Sequence, residues 1–225
     1  EGPVTAGYLN MVHRVDAASA VAFLATLLTD REETLSEELT TAVRETIHDA
    51  LGVLDETLED DGLPGRCQNL WENMDGRFTH TAAAYLTAYA TVADSPIDHR
   101  TATHAREQAE TIVDSLDELW SDKRQVYGLR LNKNGKIDNR IDSGTFAIVD
   151  ALVAYDRLTD LGESTLDRLT KHIRNVFDNL YRDPDDSEVA GLARFEGDTW
   201  RSGGQAGEKI WSVSTAWGAN AAADL

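Results

Sequence analysis

The stretch "NLWENMDGRFTHTAAAYLTAY", residues 69–89, holds two kinds of sequence in one line. Its second half has small and aromatic residues on every side and almost no charge, the pattern of a helix buried on most faces. Thr79 or Thr81 stands where an N-cap is expected. Its first half sets Trp71, Glu72, Asn73 and Asp75 directly before that helix. A polar loop leading into a buried helix is the unit from which the rest of the chain can be read.

Helical periodicity predicts further helices over residues 17–28, 35–58, 101–119, 145–161, 164–180 and 212–223, besides 81–92. The second, fourth and sixth in chain order are amphipathic and charged, as in "REQAETIVDSLDEL". The first, third, fifth and seventh are rich in alanine and apolar residues. Amphipathic and buried helices therefore alternate, which predicts two concentric layers of helical hairpins in an all-α fold. The buried type is always preceded by a polar or aromatic loop: "MVHRVD", "RCQNLWENMDGRF", "KIDNRIDSG" and "RFEGDTWRSGGQAGEKIW". If the inner helices are parallel, these loops gather at one end of the layer, where unpaired N–H groups and partial positive charge collect. A shared polar cleft is expected there.

One segment, "VYGLRLNKNGKIDNRI", breaks the helical pattern. Alternating apolar residues flank Asn134 and Gly135, which predicts a β-hairpin with a two-residue turn. A calcium loop is excluded by spacing, since Gly135 comes too early and no closing Glu follows.

Composition narrows the function classes. The 225 residues suffice for one domain spanning the whole chain, with a substantial core. The formal net charge of −19 disfavours nucleic acid and anionic membranes as partners. It reads first as a solubility device; it is also the composition of proteins from saline surroundings. Cys67 is the only cysteine, so no internal disulfide can form, which points to the cytoplasm unless a secretion signal precedes Glu1. His13, His80 and His172 are not spaced as metal ligands, and "SGGQAG" lacks the Lys-Ser/Thr of a phosphate loop. No metal and no cofactor are expected.

The polar loops carry a resemblance. "NLWENMDGRFTHTAAAY" resembles the acid-bearing motif of the family 15 glycoside hydrolases, the glucoamylases and their relatives, where Asp-Leu-Trp-Glu-Glu precedes a Thr-initiated helix. "ARFEGDTW" followed by "IWSVSTAW" is similar to a second motif of that family, "RIDSGTFAIVDAL" to a third and "HRVDAASAV" to a fourth. The resemblance implies an (α/α)6 toroid of helical hairpins, of which this chain is the central part. The family's Trp-x-Arg-Asp segment is expected before Glu1 and its general base beyond Leu225. It implies an inverting hydrolase of α-linked glucose, the partner being an α-glucan or α-glucoside. In such enzymes an acid protonates the leaving oxygen while a second carboxylate, about 6.5–9.5 Å away, activates water.

By the same resemblance Glu72 is the general acid, with Trp71 beside it to raise its pKa and to pack on a sugar face. Asn73 stands where the family has a second Glu, and Asn69 where it has Asp. Asn73, Arg194 and Trp200 are substrate contacts, Arg194 through its fixed fork of donors. A salt bridge from Arg194 to Glu196 or Asp198 is the structural alternative. Trp211 is expected to brace its helix, and Arg14 and Asp16 rest on the weakest motif. Two other functions fit the residues: a non-catalytic carbohydrate-binding or regulatory barrel, and a trehalase or dextran-directed relative. A helical-toroid sugar epimerase is disfavoured by the Trp-Glu pair.

Overall fold

The computed structural model describes residues 14–68, 70–71, 74–185, 188–200 and 209–224. Seven α-helices are described: α1 (Arg14–Arg31), α2 (Glu37–Asp55), α3 (Thr79–Ala93), α4 (His99–Ser115), α5 (Ala147–Asp156), α6 (Glu163–Leu180) and α7 (Ser212–Ala223). The architecture is all-α: two layers of helical hairpins, as the alternation of patterns predicts, forming an arc of the barrel that the resemblance implies.

The inner layer is α1, α3, α5 and α7. Helix α3 is its centre, packed against α1 and α5 on either side and against α4 outside. Alanines let the neighbouring backbones approach, while Tyr85, Leu86 and Tyr89 are wholly buried and fill the gaps. Their two hydroxyls leave the core through hydrogen bonds to the end of α2: Tyr85 Oη lies 2.6 Å from Thr57 Oγ1, and Tyr89 Oη donates to Asp55 at 2.7 Å.

The outer helices bury one stripe each. In α2 it is Val43, Ile47, Leu51 and Leu54; in α6 it is Leu169, Ile173, Val176 and Leu180. Ser36 and Asp98 cap α2 and α4, accepting from the N–H groups of Leu39 and Thr101. Among the described residues, the inner helices at the two ends of the arc lack a neighbour on one side. Phe23 on α1 is 68% exposed and Val213 on α7 is 39% exposed.

Helix bounds follow expectation to within a few residues except at the end of α5, which stops at Asp156 rather than Leu161. Residues 143–146 form a 3-10 turn before it, held by Asp142, whose Oδ1 accepts the Gly144 N–H. Thr79 does not cap α3. Its hydroxyl donates instead to the carbonyl of Gly128, tying the helix start to the hairpin region.

The predicted hairpin is present, with strands Arg130–Leu131 and Ile137–Asp138, but the turn differs. The Gly135 N–H donates to Asn132 O, and the Lys136 carbonyl accepts from Asn132 N–H. Only Gly135 of the turn has a positive φ, +68°. This is a three-residue loop, a tight turn followed by a left-handed glycine. Asn132 selects it, since its side chain accepts from the N–H groups of Asn134 and Lys136.

The hairpin is part of a four-stranded antiparallel sheet with Cys67–Gln68 and Asp75–Phe78. Gly76 makes that pairing possible: a Cβ there would stand 2.9 Å from the carbonyl oxygen of Leu131. Two small ribbons that the periodicity does not announce pair Trp120–Ser121 with Val126–Tyr127 and Tyr181–Arg182 with Gly191–Leu192.

Candidate functional site

Three of the four polar loops meet at the N-terminal ends of α3, α5 and α7. The fourth, residues 11–16, lies largely outside the described residues; Arg14 and Asp16 open α1. The loops before α5 and α7 are joined as an antiparallel pair. Ser143 N–H donates to Arg194 O at 2.7 Å, and Glu196 N–H donates to Ile141 O at 2.8 Å. Ser143 Oγ and Ser214 Oγ, at the starts of α5 and α7, lie 2.8 Å apart. The loop before α3 joins them through Trp71, whose indole N–H donates to Asp142 Oδ2 at 2.8 Å.

Arg194 is at the centre of this junction. Its Nε and Nη2 donate to the two oxygens of Asp198, both at 2.7 Å, in a fork whose side chains are 6% and 3% exposed. Its guanidinium carbon lies 4.4 Å from the ring centre of Trp211, 5.3 Å from Trp71 and 5.6 Å from Trp200. Three indoles and a carboxylate thus surround one cation. Burial opposes the charge on Asp198, but Arg194 and the Trp200 N–H outweigh it and hold the carboxyl below its ordinary value. Glu196 takes no part in this pair. It binds Arg124 at 2.6 Å, which lowers its pKa in turn.

Of the residues that the sequence analysis singles out, Trp71, Arg194 and Trp200 are brought together. Glu72 and Asn73 lie outside the described residues, as does Asn69. Trp200 is 44% exposed at the rim. Below it opens a cleft of about 320 Å³, bounded by Met74 and Arg140 on one side and by Arg194, Phe195 and Trp200 on the other. Trp211 caps α7 from the N-terminal side and also donates its backbone N–H to Leu192 O. Trp217, nearly two turns on, packs against both Trp71 and His80 at ring separations of 6.0 and 6.2 Å.

Two residues of the junction were not anticipated. Asp142 is 3% exposed, and burial pushes its carboxyl up to about 7, against the pull of the Trp71 and Gly144 N–H groups and of Arg140 and Arg194. Its signal in the sequence was a helix-capping one, an Asp before Ser-Gly. His80 sits in the first turn of α3; its Nδ1 is buried without a hydrogen-bond partner, and burial pulls its pKa down to about 4.

His172 lies elsewhere, between α6 and the barrel core. Its Nδ1 accepts the Tyr127 N–H and its Nε2 donates to Thr145 O, so both nitrogens are satisfied by the fold. A second cleft, of about 530 Å³, lies between the outer helices α2 and α4. Four of its ionisable groups form two pairs: His48 with Asp98 at 3.2 Å, and His104 with Asp55 at 2.9 Å. Among the described residues, no group of three or more His, Cys, Asp or Glu is placed to hold a metal ion. No described helix is long and apolar enough to cross a membrane.

No protein-family model matches the chain, and no curated protein does. Among solved structures, the fold is similar to that of a family 105 glycoside hydrolase from C. acetobutylicum ATCC 824. The superposition has a TM-score of 0.58 at 14% identity and covers 94% of this chain. It spans 63% of that protein's length. The likeness is one of fold, the helical-hairpin barrel.

Proposed function

We propose that this chain forms part of the barrel of an inverting glycoside hydrolase acting on α-linked glucose. In this reading all 225 residues belong to one domain of a larger ring. The observation that carries the proposal is the tryptophan-lined junction at the N-terminal ends of three inner helices. Trp71 stands there in contact with the Arg194 cage, and the residue that follows it in the chain is Glu72. The fold likeness to a glycoside hydrolase supports the general class; the motif around Trp71 is what favours glucosides.

The chemistry assigned to the chain's residues is limited. Glu72 is the proton donor to the leaving oxygen, a task that needs its protonated form near neutral pH. Trp71 and Trp200 offer ring faces to sugar C–H groups. Arg194 is already held by Asp198, so its first role is to arrange the indoles, and contact with sugar hydroxyls comes second. The open apolar faces at Phe23 and Val213 suit further hairpins of the same ring, in keeping with a neighbour longer than this chain.

The test is to express the full-length protein and follow maltose and soluble starch hydrolysis by polarimetry. Release of β-glucose is expected. Glu72→Gln should lower kcat by roughly 10²–10⁴-fold while sparing substrate affinity. Near-wild-type turnover by that variant would remove the acid assignment.

A further inference from the structure

The carboxylate of Asp142 is the unusual group at this junction. It is buried, and the two Arg side chains nearest in charge, Arg140 and Arg194, have their forks on Asp138 and Asp198. Its two oxygens each take one N–H from a different loop: Oδ1 from Gly144 at 2.6 Å and Oδ2 from Trp71 at 2.8 Å. A capping role alone needs a single acceptor, which Asn or Ser supplies without a buried charge. Taking two N–H donors on opposite lobes needs a carboxylate.

The consequence is geometric. The Gly144 bond belongs to the turn that starts α5, so Asp142 is fixed to the inner layer. The Trp71 bond reaches across 71 residues of sequence and pins the indole edge to that rigid point. The ring is half-buried and lies 6.2 and 6.0 Å from Trp211 and Trp217, which limit its tilt but make no polar contact with it. The hydrogen bond to Asp142 therefore sets the rotation of the ring in its slot.

We infer that Asp142 is a positioning residue: it sets the orientation of Trp71, the ring whose face the proposed function offers to a sugar. The inference rests on the proposed reading of Trp71 as a sugar-facing ring, and its test separates the two.

In the full-length protein, Trp71→Phe keeps an aromatic face but removes the pyrrole ring together with its N–H. Asp142→Asn keeps one acceptor, which the Gly144 N–H claims as a helix cap, and turns the amide NH2 toward Trp71. Each variant should lower kcat by about ten- to a hundredfold with a smaller change in KM, because positioning acts on the reacting geometry. The double variant should be no worse than Trp71→Phe alone, since the bond that Asp142→Asn breaks is already absent there. Multiplying effects, or wild-type kcat in Asp142→Asn, would overturn the inference.

A second readout does not depend on turnover. The indole N–H resonance that vanishes in Trp71→Phe identifies Trp71 by NMR, and it should move upfield in Asp142→Asn. An unmoved resonance refutes the tie. If Glu72→Gln proves fully active, the acid assignment fails by itself, while the resonance and the non-additivity still decide what Asp142 does. Asp142→Ala is the less useful variant, because loss of the cap threatens folding.

Discussion

Replacing Asp198 by alanine should destabilise the protein more than any substitution of an exposed acid. The pair it makes with Arg194 is a two-bond fork at 2.7 Å with both side chains almost fully buried. Removing one partner of such a pair leaves a bare charge in the interior, at a cost of about 3–5 kcal/mol. Two features move the expectation within that range. The carboxylate also accepts the Trp200 N–H at 2.9 Å, a bond lost in the same step. The three indoles that face the guanidinium remain, so part of the cation's environment survives. About 3–4 kcal/mol is therefore expected.

Urea unfolding read by tryptophan fluorescence measures the loss. With a slope of about 2 kcal/mol/M, the midpoint should fall by roughly 1.5–2 M. Asp198→Asn, which keeps an acceptor, should cost less than Asp198→Ala. Combining Asp198→Leu with Arg194→Met should recover most of the stability, because an apolar pair suits the indole cage and leaves no charge behind. A loss below about 1 kcal/mol in Asp198→Ala would refute the reasoning, since that is the behaviour of a hydrated surface pair. The sign with pH is also set. A carboxyl whose pKa is lowered by folding contributes stability above its unfolded pKa and loses it as pH falls through the folded value.

Further outcomes are expected. His172 is held neutral in the fold with a pKa of about 4, so the unfolded chain binds its proton first as pH falls; it should withdraw about 3 kcal/mol of stability between pH 6.5 and 4, and His172→Gln should make the fall in melting temperature over that interval shallower, with the like contribution of His80 remaining. With a net charge of −19, thermal melts should rise with added salt as repulsion is screened; a flat or falling series would sink the reading of a protein suited to saline surroundings. The 225-residue chain should self-associate at high concentration through the open faces of α1 and α7, and Phe23→Glu should weaken that association in light scattering, whereas a strictly monomeric chain would argue that those faces need no cover.

Much of the architecture was legible in the sequence because helical periodicity is local. The charged stripe of α6 and the alanine-rich body of α3 each declare their layer without reference to any other segment. The same local logic placed Trp71, Arg194 and Trp200 in loops that open inner helices, and parallel inner helices bring such loops together. What required the tertiary structure was pairing across distance. Nothing near Asp142 in the sequence indicates that its second oxygen takes an indole N–H from 71 residues away. Nor does the sequence decide between Glu196 and Asp198 as the partner of Arg194; Arg124, from another ribbon, claims Glu196 and leaves Asp198 for the cage. The turn at Gly135 is the same lesson at short range, where a side chain at Asn132 selected a three-residue loop over the two-residue one. Periodicity reports which face a residue turns to the core, because that depends only on backbone geometry. Which donor meets which acceptor is settled by the three-dimensional contest among all the groups that reach the same place.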